Sequence, residues 1–183
     1  GGIKWIGDAT LDDLIIQNNV GGGYAGSGGG GGIACSGGNE LTKHLKNSLF
    51  SNNTGASDGV DLLLESSSLT VYNCLFETVG DMAIYDWYGN SECNVNNCTI
   101  IGPVGLYSPL SVITNSIIYT DSDIGSISGI VMYSNISGGY EGEGNIDANP
   151  LFCDSENGDY TLAANSPCVG TGENGANMGA FGV

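Results

Sequence analysis

The groups in this 183-residue sequence that could carry chemistry are twenty carboxylates, six thiols, three lysine amines and one imidazole. Acid–base work on a sugar or ester bond needs two or three carboxylates on one face, with a base close by. Asp12 and Asp13 are the only adjacent acidic pair. Neighbours on a strand point to opposite faces, so this pair reads as solvated loop acids. His44 lies beside Lys43 and Lys46, with no nucleophile or carboxylate in its local pattern, and reads as an exposed turn residue. The glycine-rich stretch Gly21 to Gly32 has neither the Gly-Lys-Ser/Thr ending nor the following helix that a phosphate loop requires. It also lacks the Asp of the calcium-binding nonapeptide. No catalytic constellation emerges, and the expectation is a protein that is not an enzyme.

Hard oxygen ligands for calcium do bunch in places: Asp121-Ser122-Asp123, Glu141-Gly142-Glu143 with Asp147, and Asp154 to Asp159. None follows the order of an EF-hand loop. Asp154, Glu156 and Asp159 are the candidate calcium ligands, and no other cofactor is implied. Six cysteines without a C-x-x-C pair, and a single His, fit an oxidising compartment better than a zinc site.

The charge balance narrows the partners. Three bases, no arginine and a net charge of -17 leave nothing to neutralise phosphates, which excludes nucleic acid and anionic lipid as partners. No run approaches the roughly 18 apolar residues of a membrane helix, so insertion into a membrane is not expected. The opening GGIKWIGDAT lacks the basic and apolar regions of a secretion signal, as a mature or excised piece would.

The elements that must position these groups are short strands, because apolar residues rarely recur at helical spacing and glycine interrupts every segment. Two series repeat along the chain. One places a small residue before a hydrophobic one: Gly32-Ile33, Gly59-Val60, Ala83-Ile84, Gly105-Leu106 and Gly129-Ile130. The other reads apolar, any, Asn, Ser or Cys, any, apolar, around Asn47, Asn73, Asn97 and Asn115. A weaker copy runs from Met132 to Ile136, and Ile16-Gln17-Asn18-Asn19 starts the array. Two short strands per period, with no helix between them, predict a chain that winds into parallel coils. Asn tolerates the left-handed turn, and its amide can bond to the coil above, so Asn47, Asn73, Asn97 and Asn115 should form a ladder.

On these motifs the sequence resembles the right-handed parallel β-helix repeat proteins of bacterial secretions and cell surfaces. The ending carries more of the likeness, with GEGNID, NPLF, GDYTL, SPC and MGAFG in the order of that family's terminal coil and closing segment. The Gly-rich GGGGGIACSGG opening adds to it, and the resemblance covers essentially the whole chain. It implies an all-β, right-handed parallel β-helix, a single-stranded solenoid of about six coils, in one domain. Residues 1–148 would form the coils and 149–183 the closing or capping segment. Lyases of this fold use Lys or Arg as base with calcium held by acids. Here there is no Arg, and all three Lys lie in the first quarter of the chain.

Within such a solenoid Tyr85 and Tyr107 occupy equivalent outward places in neighbouring coils, with Trp87 and Tyr88 close by. A platform of this kind suits the apolar faces of sugar rings. Cys74 and Cys98 hold one place in adjacent coils, about 4.8 Å apart, within disulfide range. Cys153 and Cys168 flank the GDYTL strand, where a bridge would pin the cap over the last coil. Six cysteines still allow 15 connectivities. The function expected is an extracellular or cell-surface structural or adhesive rod, with end-to-end assembly into a filament as one form of it. The alternative is a carbohydrate-binding module or the remnant of a polysaccharide-active enzyme. Expected partners are another copy of the chain or a surface polysaccharide.

Overall fold

The computed structural model describes residues 2–21, 31–55, 61–79, 82–127 and 129–183, apart from the side chains of residues 41, 104 and 121–126. Most of the Gly21 to Gly32 stretch, the Gly59-Val60 pair and the side chains of Asp121-Ser122-Asp123 lie outside the described residues. No α-helix occurs among the described residues; strands and two single turns of 3-10 helix make up the regular structure.

Successive coils pair in parallel at three places, with a short fourth pairing of Val20–Gly21 with Thr54–Gly55 between coils one and two. In the first stack Ile3, Ile33, Leu62, Ile84, Leu106 and Gly125 align. In the second stack the aligned residues are Leu11, Leu45, Val71, Val95, Ile113 and Val131. Ile16, Phe50, Phe76, Ile100, Ile118 and Ile136 form the third. Each row has six members, one per coil, and the fold is a right-handed parallel β-helix, all-β as the repeats predict. The inward rows form one continuous core from Trp5 to Ile136, in which Phe50 and Phe76 stack with centroids 4.7 Å apart. Pro103, which has no N–H to give a ladder, coincides with a register shift between Gly102 and Val104.

Three strands per coil, not two, is a correction with a simple cause. Val71 and Phe76, read as ends of one motif, lie in different strands on either side of Asn73. The left-handed residue between them turns the chain from the second stack to the third. Asp13, Asn47, Asn73, Asn97, Asn115 and Tyr133 take this role in the six coils, with φ between 49° and 56°. The row of turn residues therefore starts at Asp13. Asn18 follows the third strand instead, level with Asn52 one coil on, and Asn135 lies within the third stack. In the small-hydrophobic series Leu62 holds the second place, between Ile33 and Ile84, and Ile130 belongs to the second stack.

The residue after each turn explains the Ser or Cys of the repeat. Ser48, Ser116 and Ser134 each donate to the carbonyl two residues back at 2.7–2.8 Å. The thiols of Cys74 and Cys98 do the same at 3.3 Å. The hydroxyl also accepts from the amide one coil below, as in Cys98 N to Ser116 Oγ (3.1 Å).

The last coil is sealed by residues 138–148. Ile136 N donates to Ile146 O, Ile146 N donates to Ser134 O, and Tyr140 packs on the core with its hydroxyl on Ile127 O. Residues 149–183 then run along the flank of the solenoid rather than over its end. Strands Phe152–Asp154 and Asp159–Leu162 form an antiparallel hairpin. The remainder crosses coil five, where Glu173 N bonds Asn115 Oδ1 (2.6 Å), and coil four, where Ala180 N bonds Thr99 Oγ1 (2.9 Å). Leu162, Cys168 and Met178 close a second small core on Ile117.

Candidate functional site

The outward row of the first stack carries the aromatic face. Inward Ile84 and Leu106 alternate with outward Tyr85 and Tyr107, which are register partners. Their rings lie 5.3 Å apart, tilted by 43°, and Trp87 meets Tyr85 edge-on at 5.9 Å and 88°. Leu63, the outward residue beneath Tyr85, is buried in this surface layer. Tyr88 stands exposed on the loop that follows, and Leu110 is exposed beyond Tyr107.

The loop that presents Trp87 and Tyr88 is fixed from inside. Asp86 points into the core and is fully buried; its two oxygens accept from Ser91 N (2.7 Å) and Ser91 Oγ (2.9 Å). This clamp, with Gly89 at φ 66° and its N–H on Asp86 O, closes a tight turn over four residues. Neighbouring coils hold the outside: Asn39 Nδ2 donates to Asn90 O (2.8 Å) and Ser66 Oγ to Asn90 Oδ1 (3.1 Å). Rings held rigidly at the surface, with amide groups beside them, can stack on the apolar face of a sugar or fill an apolar interface.

The other expected sites fare differently. Asp154, Glu156 and Asp159 surround the hairpin turn, but each carboxylate goes its own way. Asp154 accepts from Asn157 Nδ2 (2.8 Å), and Asp159 accepts from Thr161 N and Oγ1, which holds its carboxyl below the usual range. Among the described residues no group of three or more His, Cys, Asp or Glu could hold a metal ion.

The asparagine ladder is real over coils one to three, where Asn73 Nδ2 donates to Asn47 Oδ1 and Asn47 Nδ2 to Asp12 Oδ1, both at 2.8 Å. The second bond, with Lys46 at 3.1 Å, lowers the Asp12 carboxyl from its ordinary value. Asn97 and Asn115 break from it: the closing segment takes them, Asn97 Nδ2 donating to Asn177 O (3.0 Å). All six cysteines are free. Cys153 is exposed on the hairpin, whereas Cys168 is buried in the flank core and receives Asn135 Nδ2, so the two face different surroundings and no bridge forms. Cys74 and Cys98 adjoin as free thiols that hydrogen-bond to one another, and each sulfur is also engaged with the carbonyl two residues back.

Two interior features escape the sequence reading. Lys43 sits on the inward side of the second stack, 1% exposed, and its ammonium has no hydrogen-bond partner among the described residues. Asp61, also fully buried, accepts from Asn53 Nδ2 (2.8 Å) and Thr78 Oγ1; burial outweighs those bonds and pushes its carboxyl up to about 6. Neither has a sequence signal: Lys43 stands in the run Lys43-His44-Leu45-Lys46, where only the alternation around Leu45 marks it as inward.

Fold and face together define a β-solenoid with one ordered aromatic strip. No protein-family model matches the chain, and no curated protein matches it.

Proposed function

We propose that this is a non-catalytic structural and adhesive rod of an extracellular surface, joined to a second copy through the open end of its solenoid. The supporting observation is Ile3. It heads the inward row that continues as Ile33, Leu62, Ile84 and Leu106, all fully buried, yet it is 41% exposed. Among the described residues nothing covers the core at coil one, and the strands there each pair on one side alone, so the other edge can act as a template for another chain. The opposite end is sealed over Ile136 by the 138–148 segment. With one end open and one closed, two rods meeting open end to open end make a closed pair, and a filament needs a further contact. The extracellular placing rests on the likeness of the repeats and ending to secreted β-helix proteins. Electron microscopy of the protein as isolated tests the reading, with Ile3→Lys alongside. Paired particles twice the length of one solenoid, dispersed by Ile3→Lys, are expected. Single particles at every concentration would overturn it.

A second reading, a carbohydrate-binding module, is favoured by the Tyr85, Trp87 and Tyr107 strip, whose rings hold one another in place by edge-on and tilted contacts. Glycan-array binding that disappears in Trp87→Ala and Tyr107→Ala would support it. Binding unchanged in both variants would remove the strip from consideration.

A further inference from the structure

A cleft of about 280 Å³ lies on the other side of the molecule, where the hairpin of residues 152–162 meets coils four and five. Its walls are Ile101, Tyr119, Phe152 and Tyr160, with Ser155 and Glu156 at the rim. Phe152 and Tyr160 meet edge-to-face at 5.2 Å, and Tyr119 is 42% exposed toward solvent. Behind Tyr160, whose hydroxyl donates to Glu77 Oε1 at 3.0 Å, lies a second carboxylate. Burial and that carboxylate raise the Tyr160 phenol to about 12, so the ring stays neutral.

What lines the cleft also says what it can receive. Among the described residues no Lys, His, Asn or Gln lines it, so what they offer is ring surface and carboxylate oxygen with no N–H donor from a side chain. An anion finds nothing there, and a sugar finds few donors. A cation with an apolar skin finds ring faces and negative charge together, with no competing ammonium. The chain's net charge of -17 draws such a ligand in from a distance.

We propose that this cleft binds the quaternary ammonium head of a small organic cation, with Tyr119 and Phe152 as ring contacts and Glu156 as counter-charge. The site is independent of the open solenoid end and of the Tyr85 strip.

Titration calorimetry with choline chloride, at ionic strength held constant with sodium chloride, tests it. The neutral control is 3,3-dimethylbutan-1-ol, which has the same shape with carbon in place of nitrogen. Saturable choline binding is expected, with the alcohol weaker by about tenfold. Tyr119→Leu and Glu156→Gln should each weaken choline, whereas Trp87→Ala should leave it unchanged. Both substitutions are at exposed positions, and a thermal melt checks that each variant is folded. Failure of choline to saturate, equal binding of the two probes, or binding indifferent to both cleft variants would each overturn the proposal. Loss of binding in Trp87→Ala would move the site to the other face and overturn it too.

Discussion

The two halves of the solenoid solve one problem in two ways. The outward row of the third stack runs Ile15, Leu49, Leu75, Thr99, Ile117 and Asn135. Ile15 is 70% exposed and Leu75 is 4% exposed, while Ile117 is 1% exposed because the closing segment lies on it. The turn residues divide at the same level: Asn73 bonds Asn47, which bonds Asp12 beside the turn of coil one, whereas Asn97 and Asn115 bond to residues 173–180. A repeat that supplies its own ladder can be taken over by an outside segment without changing its backbone. Coils one and two are held by their own amides, coils four and five by a cover, and coil three, where Leu75 is buried and Glu77 accepts from Tyr160, by both.

The sharpest way to break this comparison is to remove the same atoms from both halves. Ile117→Ala should cost about 2–5 kcal/mol, because it opens a cavity under Leu162 and Met178. Ile15→Ala, at the equivalent outward place, should stay within about 0.5 kcal/mol of the parent. Urea unfolding followed by circular dichroism measures both. Equal costs would mean that the closing segment adds nothing to the coils it covers.

A pH titration probes the uncovered half. The folded-state value of Asp61, about 6, lies above its ordinary 3.8. Such a group adds stability that is fully present below pH 4 and lost as pH rises through 6. The expected loss is of the order of 2–3 kcal/mol between those limits. Asp12 and Asp159 act in the opposite sense, since their lowered carboxyls weaken the fold only as pH falls below their ordinary range. Hydrogen exchange should place the change at Asn53 and its partners in coils one to three, with the Ile117 flank unaffected. Asp61→Asn should flatten the profile, and a profile of the same slope in that variant would assign the effect elsewhere.

Lys43 also belongs to the uncovered half. An unpartnered ammonium in an apolar interior opposes folding, and Met fills a similar length without a charge. Lys43→Met should therefore stabilise the protein by about 1–3 kcal/mol. A loss of stability in that variant would mean that the ammonium has a bound partner inside the solenoid.

These residues also mark where the sequence was legible. The period, the left-handed asparagines and the inward rows could be read because each coil repeats the same solution, and Tyr85 and Tyr107 could be paired because they ride on that repeat. The third strand was hidden because a single left-handed residue such as Asn73 makes a corner too short to register as a gap in the apolar pattern. Asp86 and its hold on Ser91 were hidden because the bonds join residues five apart that no motif marks. The course of residues 149–183 was the hardest to foresee. Its contacts, such as Tyr160 with Glu77, span 83 positions and depend on which face of the solenoid remains free.

The smallest effect tests whether the ladder position itself matters once a cover is present. Tyr133 takes the left-handed turn of coil six at φ 50°, where Asn would suffer less strain. Its hydroxyl donates to Glu143 Oε1 at 2.5 Å, its amide donates to Glu143 O, and its ring lies where a side chain on Gly144 would collide. These contacts belong to the seal. If the cover governs this half, Tyr133→Asn loses more at Glu143 and Gly144 than it gains in backbone ease, a net cost of about 0.5 kcal/mol. The reverse exchange in the uncovered half, Asn73→Tyr, sacrifices the bond to Asn47 and adds left-handed strain, for about 2 kcal/mol. A stabilised Tyr133→Asn would show instead that the ladder preference persists under the cover. The seal would then hold the last coil in spite of its turn residue.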